Sequence, residues 1–362
     1  MRVARYHGRR DVRIESIPTP EPGPGECLIE VEWCGICGTD LHEYLAGPLG
    51  IPTQDRPDPL TGGTMPVTIG HEVCGRIKTA PPGSNLQEGQ PVMVDPHVPC
   101  RKCLSCNSGY DHLCDKLAFI GNSGRSCGGG LAEFVAVNAE HVHPLPANVS
   151  LDFAALIEPL VVGYHATQQA GVNLEGKSIL ILGAGPIGMA LISNLRACRV
   201  KQILVSEPTA KRSLTVKDLV ERIIDPRSED VGDVCRQLTH DKGVDIVFDC
   251  AGVQVAMDAG LDALAFKGTY VNIAQWERPF GVNFRPFFLK EINIVSCCCY
   301  NDKDFHEVLE LVRNEDKLHG YEQMVTKRIA LEDLISSGLE ELINHKDDHI
   351  KILVSPKLKA AK

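Results

Sequence analysis

No stretch of this chain is both long and apolar enough to cross a bilayer, so a membrane-spanning role is not expected. Positive charge is scarce: 37 Lys and Arg stand against 47 Asp and Glu, and the formal charge of −10 lacks the basic footprint of a nucleic-acid binder. Internal repeats and low-complexity segments are missing as well, which sets aside solenoids and disordered tails. The segment after Met1, with Arg2 and Arg5, has no signal-peptide apolar run, and the expected setting is a reducing one, the cytoplasm. There the 15 cysteines, an odd number, suggest no disulfide framework. With 362 residues, 43% hydrophobic and 23% charged, the composition is that of a soluble globular protein with room for two domains.

Four of the cysteines, Cys100, Cys103, Cys106 and Cys114, are clustered. A looping backbone brings cysteines two or three residues apart to one zinc ion, at Zn–S distances of about 2.3 Å, and the fourth closes the lobe. Four thiolates leave no coordination position open, so the site is read as structural: it braces a loop and performs no chemistry. The triple Cys297-Cys298-Cys299 follows an apolar stretch and reads as small buried side chains at the end of a strand.

Up to about residue 150, short β-like runs such as Cys27 to Val31, Val73 to Lys78 and Glu133 to Val137 are punctuated by Pro and Gly, a loop-rich, mainly-β region. Between Leu174 and Ser296 the pattern changes to apolar strands alternating with helices: Ser178 to Leu182, Gln202 to Ser206, Val244 to Asp249, Gly268 to Ile273 and Ile292 to Val295. Such runs fit a parallel sheet buried on both faces, which makes the fold class α/β, with a doubly wound sheet of the Rossmann kind. After the first strand come Gly183-Ala-Gly185-Pro186-Ile187-Gly188 and an apolar helical run. Gly183 permits the turn, Gly185 lets a pyrophosphate approach the backbone, and Gly188 lets helix pack on strand; Pro186 and Ile187 lie at the helix N-terminus that faces the phosphates. Glu207 ends the second strand about 20 residues on, where an acid bonds the ribose hydroxyls and repels a 2′-phosphate. NAD is therefore expected rather than NADP, with Arg212 near the adenosine.

Cys34-Gly-Ile-Cys37, behind Trp33, has the spacing of a dithiol redox turn. A second reading joins Cys37 to His71 and Glu158: one thiolate, one imidazole and one carboxylate from separate segments. Three protein ligands leave a fourth position for water or substrate, the mark of a catalytic zinc.

The run Cys37 to His42, Gly70-His71-Glu72, the four-cysteine lobe, Glu158-Pro159-Leu160 and the Gly183 to Gly188 loop together resemble the zinc-dependent medium-chain alcohol dehydrogenases over nearly the whole chain. Within that family, Trp33 to Leu45 and Ala265 to Ala274 are most similar to the 2,3-butanediol dehydrogenase branch. The resemblance implies a GroES-like, zinc-binding catalytic domain over 1–160 and 301–362, a Rossmann NAD-binding domain over 161–300, and two Zn2+ ions, one catalytic and one structural. It implies that a secondary alcohol or vicinal diol passes its proton to Thr39 and, through the nicotinamide ribose, to His42, while hydride leaves for the nicotinamide. Glu72, one residue after a ligand, would be a catalytic residue beside the metal that coordinates it transiently during water exchange, and Asp40 would orient a neighbour by hydrogen bond. A homodimer joined through the cofactor-domain sheets, or a homotetramer, is also implied. Cys297 to Cys299 replace smaller residues usual in the family, so a sorbitol-type polyol or a larger secondary metabolite stays open as substrate. A non-catalytic dinucleotide-binding paralogue is the reading from another class; a missing metal ligand would favour it, and all three are present.

Overall fold

The fold, given by a computed structural model, is described for residues 1–362 apart from 124–127, 277, 315–317, 319 and 362. It divides into one unit of Met1–Glu158 with Val325–Lys362 and a second of Pro159–Met324. The sequence reading starts the return to the first domain at 301, whereas the helix Asp302–Arg313 falls in the second unit. Its Asp304 carboxylate meets His165 Nδ1 at 2.5 Å, both side chains buried, which ties that helix to the segment following Pro159.

The second unit is built on a six-stranded sheet in the order Arg222–Ile224, Gln202–Ser206, Ser178–Leu182, Val244–Asp249, Leu264–Asn272, Asn293–Ser296, and every neighbouring pair is parallel. The order reverses at Ser178–Leu182, the doubly wound arrangement whose ligands lie beyond the carboxyl ends of the strands. The first, second and fourth of these strands in chain order match the apolar runs of the sequence. The edge strand Arg222–Ile224 went unread because three residues led by an exposed arginine make no apolar run. Leu180, Leu204, Val247, Leu261 and Tyr270 pack into the core of this unit.

In the first unit Glu26–Gly35 is the central strand of a mixed sheet ordered Val142–Pro144, Pro91–Val94, Glu72–Thr79, Glu26–Gly35, Lys351–Ser355, Val325–Ala330, with Phe134–Asn138 also paired to it. A smaller sheet joins Asp11–Ser16, Arg2–Gly8 and Val67–Thr68. Ile29, Val31, Val73, Ile77, Val92, Ile352 and Val354 fill the core, each contributing about 1.5–3 kcal/mol by leaving water. Register matters at one end of the central strand: Gly35 pairs with Glu72 on one side and with Leu353 on the other. A Cβ on Gly35 would stand 1.8 Å from Glu72 Oε2, so glycine leaves the space that this carboxylate occupies. No helix among the described residues is long and apolar enough to cross a membrane.

Candidate functional site

The thiols of Cys100, Cys103, Cys106 and Cys114 lie within 4.8 Å of one another. Cys103 Sγ is 3.5 Å from Cys106 Sγ and 3.8 Å from Cys114 Sγ, close to the edge of about 3.8 Å expected of a tetrahedron with bonds of about 2.3 Å. Backbone N–H groups point at the sulfurs: Cys103 N–H at Cys100 (3.4 Å), Cys100 N–H at Cys114 (3.3 Å) and Lys116 N–H at Cys114 (3.3 Å). Donors of this kind favour thiolates, and those of Lys102 and Cys103 draw the Cys100 thiol down to about 7. The four residues fit a closed tetrathiolate zinc site.

A second group forms where the helix Gly38–Ala46 begins. Cys37 is its N-cap, and Asp40 Oδ2 accepts the Cys37 N–H at 2.9 Å. His71, next to the strand Glu72–Thr79, is buried; its Nε2 and the Thr39 hydroxyl are hydrogen-bonded at 3.3 Å, and its Nδ1 lies 3.9 Å from Asp40 Oδ1. Those two atoms are buried without a hydrogen-bond partner. With a proton at Nδ1, on the carboxylate side, Nε2 is left with its lone pair, the tautomer that a metal-binding histidine needs. His42 lies three residues beyond Thr39 on the same helix, half-buried.

The structure brings Cys37 and His71 together with Glu72, all within 4.8 Å, whereas Glu158 lies outside that group. The sequence reading makes Glu158 the standing ligand and gives Glu72 a place beside the metal with transient coordination. What separates them is Lys351, whose buried Nζ donates to Glu72 Oε1 at 2.6 Å, Glu72 Oε2 at 2.8 Å and Ile36 O at 3.0 Å. Glu72 is thereby neutralised. Glu158 is buried and its acid is pushed up to about 7, first by burial, with His71 working against and the Glu72 charge adding to the rise. Burial raises Asp40 too. His71 is raised well above its usual value: burial lowers it, but the charges of Cys37 and Asp40, with Glu158 behind them, outweigh that. Three carboxylates, Asp40, Glu72 and Glu158, are thus buried around His71, with the Cys37 thiol beside them; Lys351 and His71 face them, and His97 also acts on Glu158, so the donor set of thiol, imidazole and carboxylate suits a divalent cation. Lys351 was missed in the sequence, although a lone lysine inside the apolar run Ile350 to Val354 was the signal for it. The dithiol reading of Cys34 and Cys37 fails, because Cys34 is fully buried and burial drives its thiol far above the range of a reactive cysteine.

In the second unit Gly183, with φ +91°, turns the chain out of Ser178–Leu182, and the helix Pro186–Ala197 starts with Gly185 as N-cap and Pro186 in its first turn. Ile187 in that turn is half-buried. A Cβ on Gly188 would meet Gly183 O at 2.1 Å, so helix and loop are as close as backbones come; a Cβ on Gly185 would find only Arg212 Nη1, 3.9 Å away. The loop therefore has an open face, with a guanidinium beside it, that fits a pyrophosphate. Glu207 does more than was read for it. Its Oε2 accepts the Ala184 N–H at 2.7 Å and its Oε1 the Thr209 N–H at 2.8 Å, which fixes the loop to the next strand. Along the same edge Asn272 accepts the Trp276 indole N–H at 2.8 Å and the Cys297 N–H at 3.0 Å. Contrary to the expectation of a buried triple, Cys298 is exposed, because the edge strand Asn293–Ser296 has no neighbour on its outer side among the described residues.

Residues 23–147 match the alcohol dehydrogenase GroES-like domain, and residues 186–314 match the zinc-binding dehydrogenase domain. The chain is 38% identical to the (R,R)-butanediol dehydrogenase of Neisseria gonorrhoeae, covering 99% of this chain and 100% of that protein. It is 36% identical to the (R,R)-butanediol dehydrogenase of Saccharomyces cerevisiae, with 98% of each chain covered. The crystal structure of 2R,3R-butanediol dehydrogenase from Bacillus subtilis superposes with a TM-score of 0.90 at 34% identity, over 98% of this chain and 99% of that one.

Proposed function

The chain belongs to the zinc-dependent medium-chain alcohol dehydrogenases, and we propose that within that family it interconverts a vicinal diol of the 2,3-butanediol type and its hydroxyketone, with NAD as the hydride carrier. The observation that carries the reading is the thiol, imidazole and buried carboxylates gathered around Cys37 and His71 with the Thr39 hydroxyl against them. Cys37, His71 and Glu158 would hold the catalytic zinc: Glu72 is already neutralised by Lys351, whereas Glu158 gains most from a cation. Zinc held there would supply the charge that lowers the pKa of the alcohol hydroxyl, and NAD would supply the hydride acceptor. Thr39 Oγ1 would accept the hydroxyl proton as its own proton passes on, through the nicotinamide ribose hydroxyl, to His42, one turn along the helix, and from there to solvent. The Asp40 carboxylate, 3.9 Å from His71 Nδ1, favours a proton on that nitrogen by its charge, which leaves Nε2 for the metal. Glu207, fixed by two backbone amides, sets a negative charge that turns away a 2′-phosphate, which favours NAD.

Cytoplasm is the inferred location. A homodimer through the edge strand Asn293–Ser296, with Ile294 exposed on it, is the inferred assembly, and a homotetramer the alternative. A light-scattering mass of a single chain would overturn both.

Rates on 2,3-butanediol, sorbitol and simple secondary alcohols, each with NAD and NADP, test the function. The reading expects butanediol with NAD to be fastest, and a preference for sorbitol would overturn the substrate. Glu158→Ala is expected to lower turnover by orders of magnitude while NADH binding, followed by fluorescence, survives. Loss of NADH binding with intact metal content would overturn the ligand assignment.

A further inference from the structure

Cys297, Cys298 and Cys299 take no part in either metal centre. They follow Asn293–Ser296 at its carboxyl end, the same edge of the parallel sheet on which the Gly183 to Gly188 loop follows Ser178–Leu182. Cys297 is tethered to Asn272 O by its N–H at 3.0 Å and its Sγ at 3.7 Å, and burial pushes its thiol up to about 12. The next two residues differ. Successive side chains of an extended strand point to opposite faces, but Cys299 has φ +51°, and the Cys298 and Cys299 sulfurs stand 3.6 Å apart. Cys298 is exposed and Cys299 half-buried. The separation falls between the 3.5 Å and 3.8 Å of sulfur pairs in the zinc lobe. A disulfide between adjacent residues is disfavoured, because their Cα atoms are about 3.8 Å apart where a relaxed bridge wants about 5.5–6 Å. The pair is therefore better suited to sharing one soft atom than to closing on itself.

We propose that Cys298 and Cys299 form a bidentate site for a thiophilic metalloid, trivalent arsenic in particular, and that its occupation opposes dinucleotide binding along the same edge. With phenylarsine oxide two S–H bonds break, two As–S bonds form and the oxygen leaves as water. Arsenic stays trivalent, and nothing is oxidised or reduced. The coupling, though not the site itself, rests on the dinucleotide reading of Gly183 to Gly188.

The experiment titrates the zinc-loaded full chain with phenylarsine oxide and reads bound arsenic by mass, zinc content, and NADH affinity by fluorescence. Stoichiometric uptake is expected, reversed by a dithiol and not by a monothiol, with zinc retained. Cys298→Ser and Cys299→Ser should each abolish it, and Cys297→Ser should not. Equal uptake by the double serine variant would overturn the site. In the wild type the arsenical should weaken NADH binding by about tenfold or more, with no change in either serine variant; an unchanged NADH affinity would overturn the coupling. A chain that never binds NADH, arsenical or not, would sink the dinucleotide reading and the coupling with it, while uptake still decides the dithiol site.

Discussion

Replacing Lys351 with methionine keeps most of the side-chain volume and removes one buried charge. Lys351 Nζ lies 2.6 Å from Glu72 Oε1, and both side chains are 1% exposed. The variant leaves the Glu72 carboxylate in the same region as Cys37, Asp40 and Glu158, with His71 and, acting on Glu158, His97 as the positive groups still facing it. Breaking a buried pair from one side costs about 3–5 kcal/mol. For a unit of this size that is a fall in Tm of about 6–20 °C. Lys351 titrates above its usual value: burial lowers it, but the charges of Glu72 and Cys37 outweigh burial. Because the folded value lies above the unfolded one, the stabilisation is complete below about pH 10.4 and is lost only as pH rises through the folded value, so neutral pH sees all of it. Thermal unfolding followed by circular dichroism, on zinc-loaded and chelator-treated protein, makes the measurement. Zinc should recover part of the loss, since the released Glu72 carboxylate already lies within ligand reach of Cys37 and His71. The gap in Tm between loaded and stripped protein should therefore be wider in the variant than in the wild type. A Tm change below about 2 °C in Lys351→Met would refute the reasoning.

Glu158, pushed up to about 7 in the fold, binds a proton that the unfolded chain releases near pH 4.5. Zinc-free protein should thus lose about 3 kcal/mol of stability as pH rises from about 4.5 to 7, and Glu158→Gln should flatten that slope in denaturant titrations. Cys103→Ser should lose the lobe's zinc and several degrees of Tm; a fully stable variant with unchanged zinc content would contradict the structural site. Gly188→Val puts atoms where a Cβ alone would meet Gly183 O at 2.1 Å, and should weaken NADH binding by about tenfold or more while zinc stays bound; undiminished affinity would count against the phosphate loop.

Much of this molecule is legible from short-range spacing. The strand Ser178–Leu182, the glycine turn and the helix Pro186–Ala197 are contiguous, so local geometry alone sets them against one another. The four lobe cysteines lie close enough in the chain that one loop carries them to a common point. Cys37 with Thr39 and His42 follows from one helix start. The composition of the runs named the parallel sheet, although it gave neither the short edge strand Arg222–Ile224 nor the exposure of Cys298.

Pairing across the sheets decided the rest. Glu72 and Lys351 are 279 residues apart and meet only because the strands they begin flank Glu26–Gly35, where Gly35 leaves room for a carboxylate. Nothing in Gly70-His71-Glu72 or Glu158-Pro159-Leu160 tells which glutamate will have a lysine beside it. A sequence fixes which groups can ligate a metal through their chemistry and local spacing. Which of them is neutralised by a distant charge, and which waits for a cation, depends on long-range register, and that exists only once the sheet has formed.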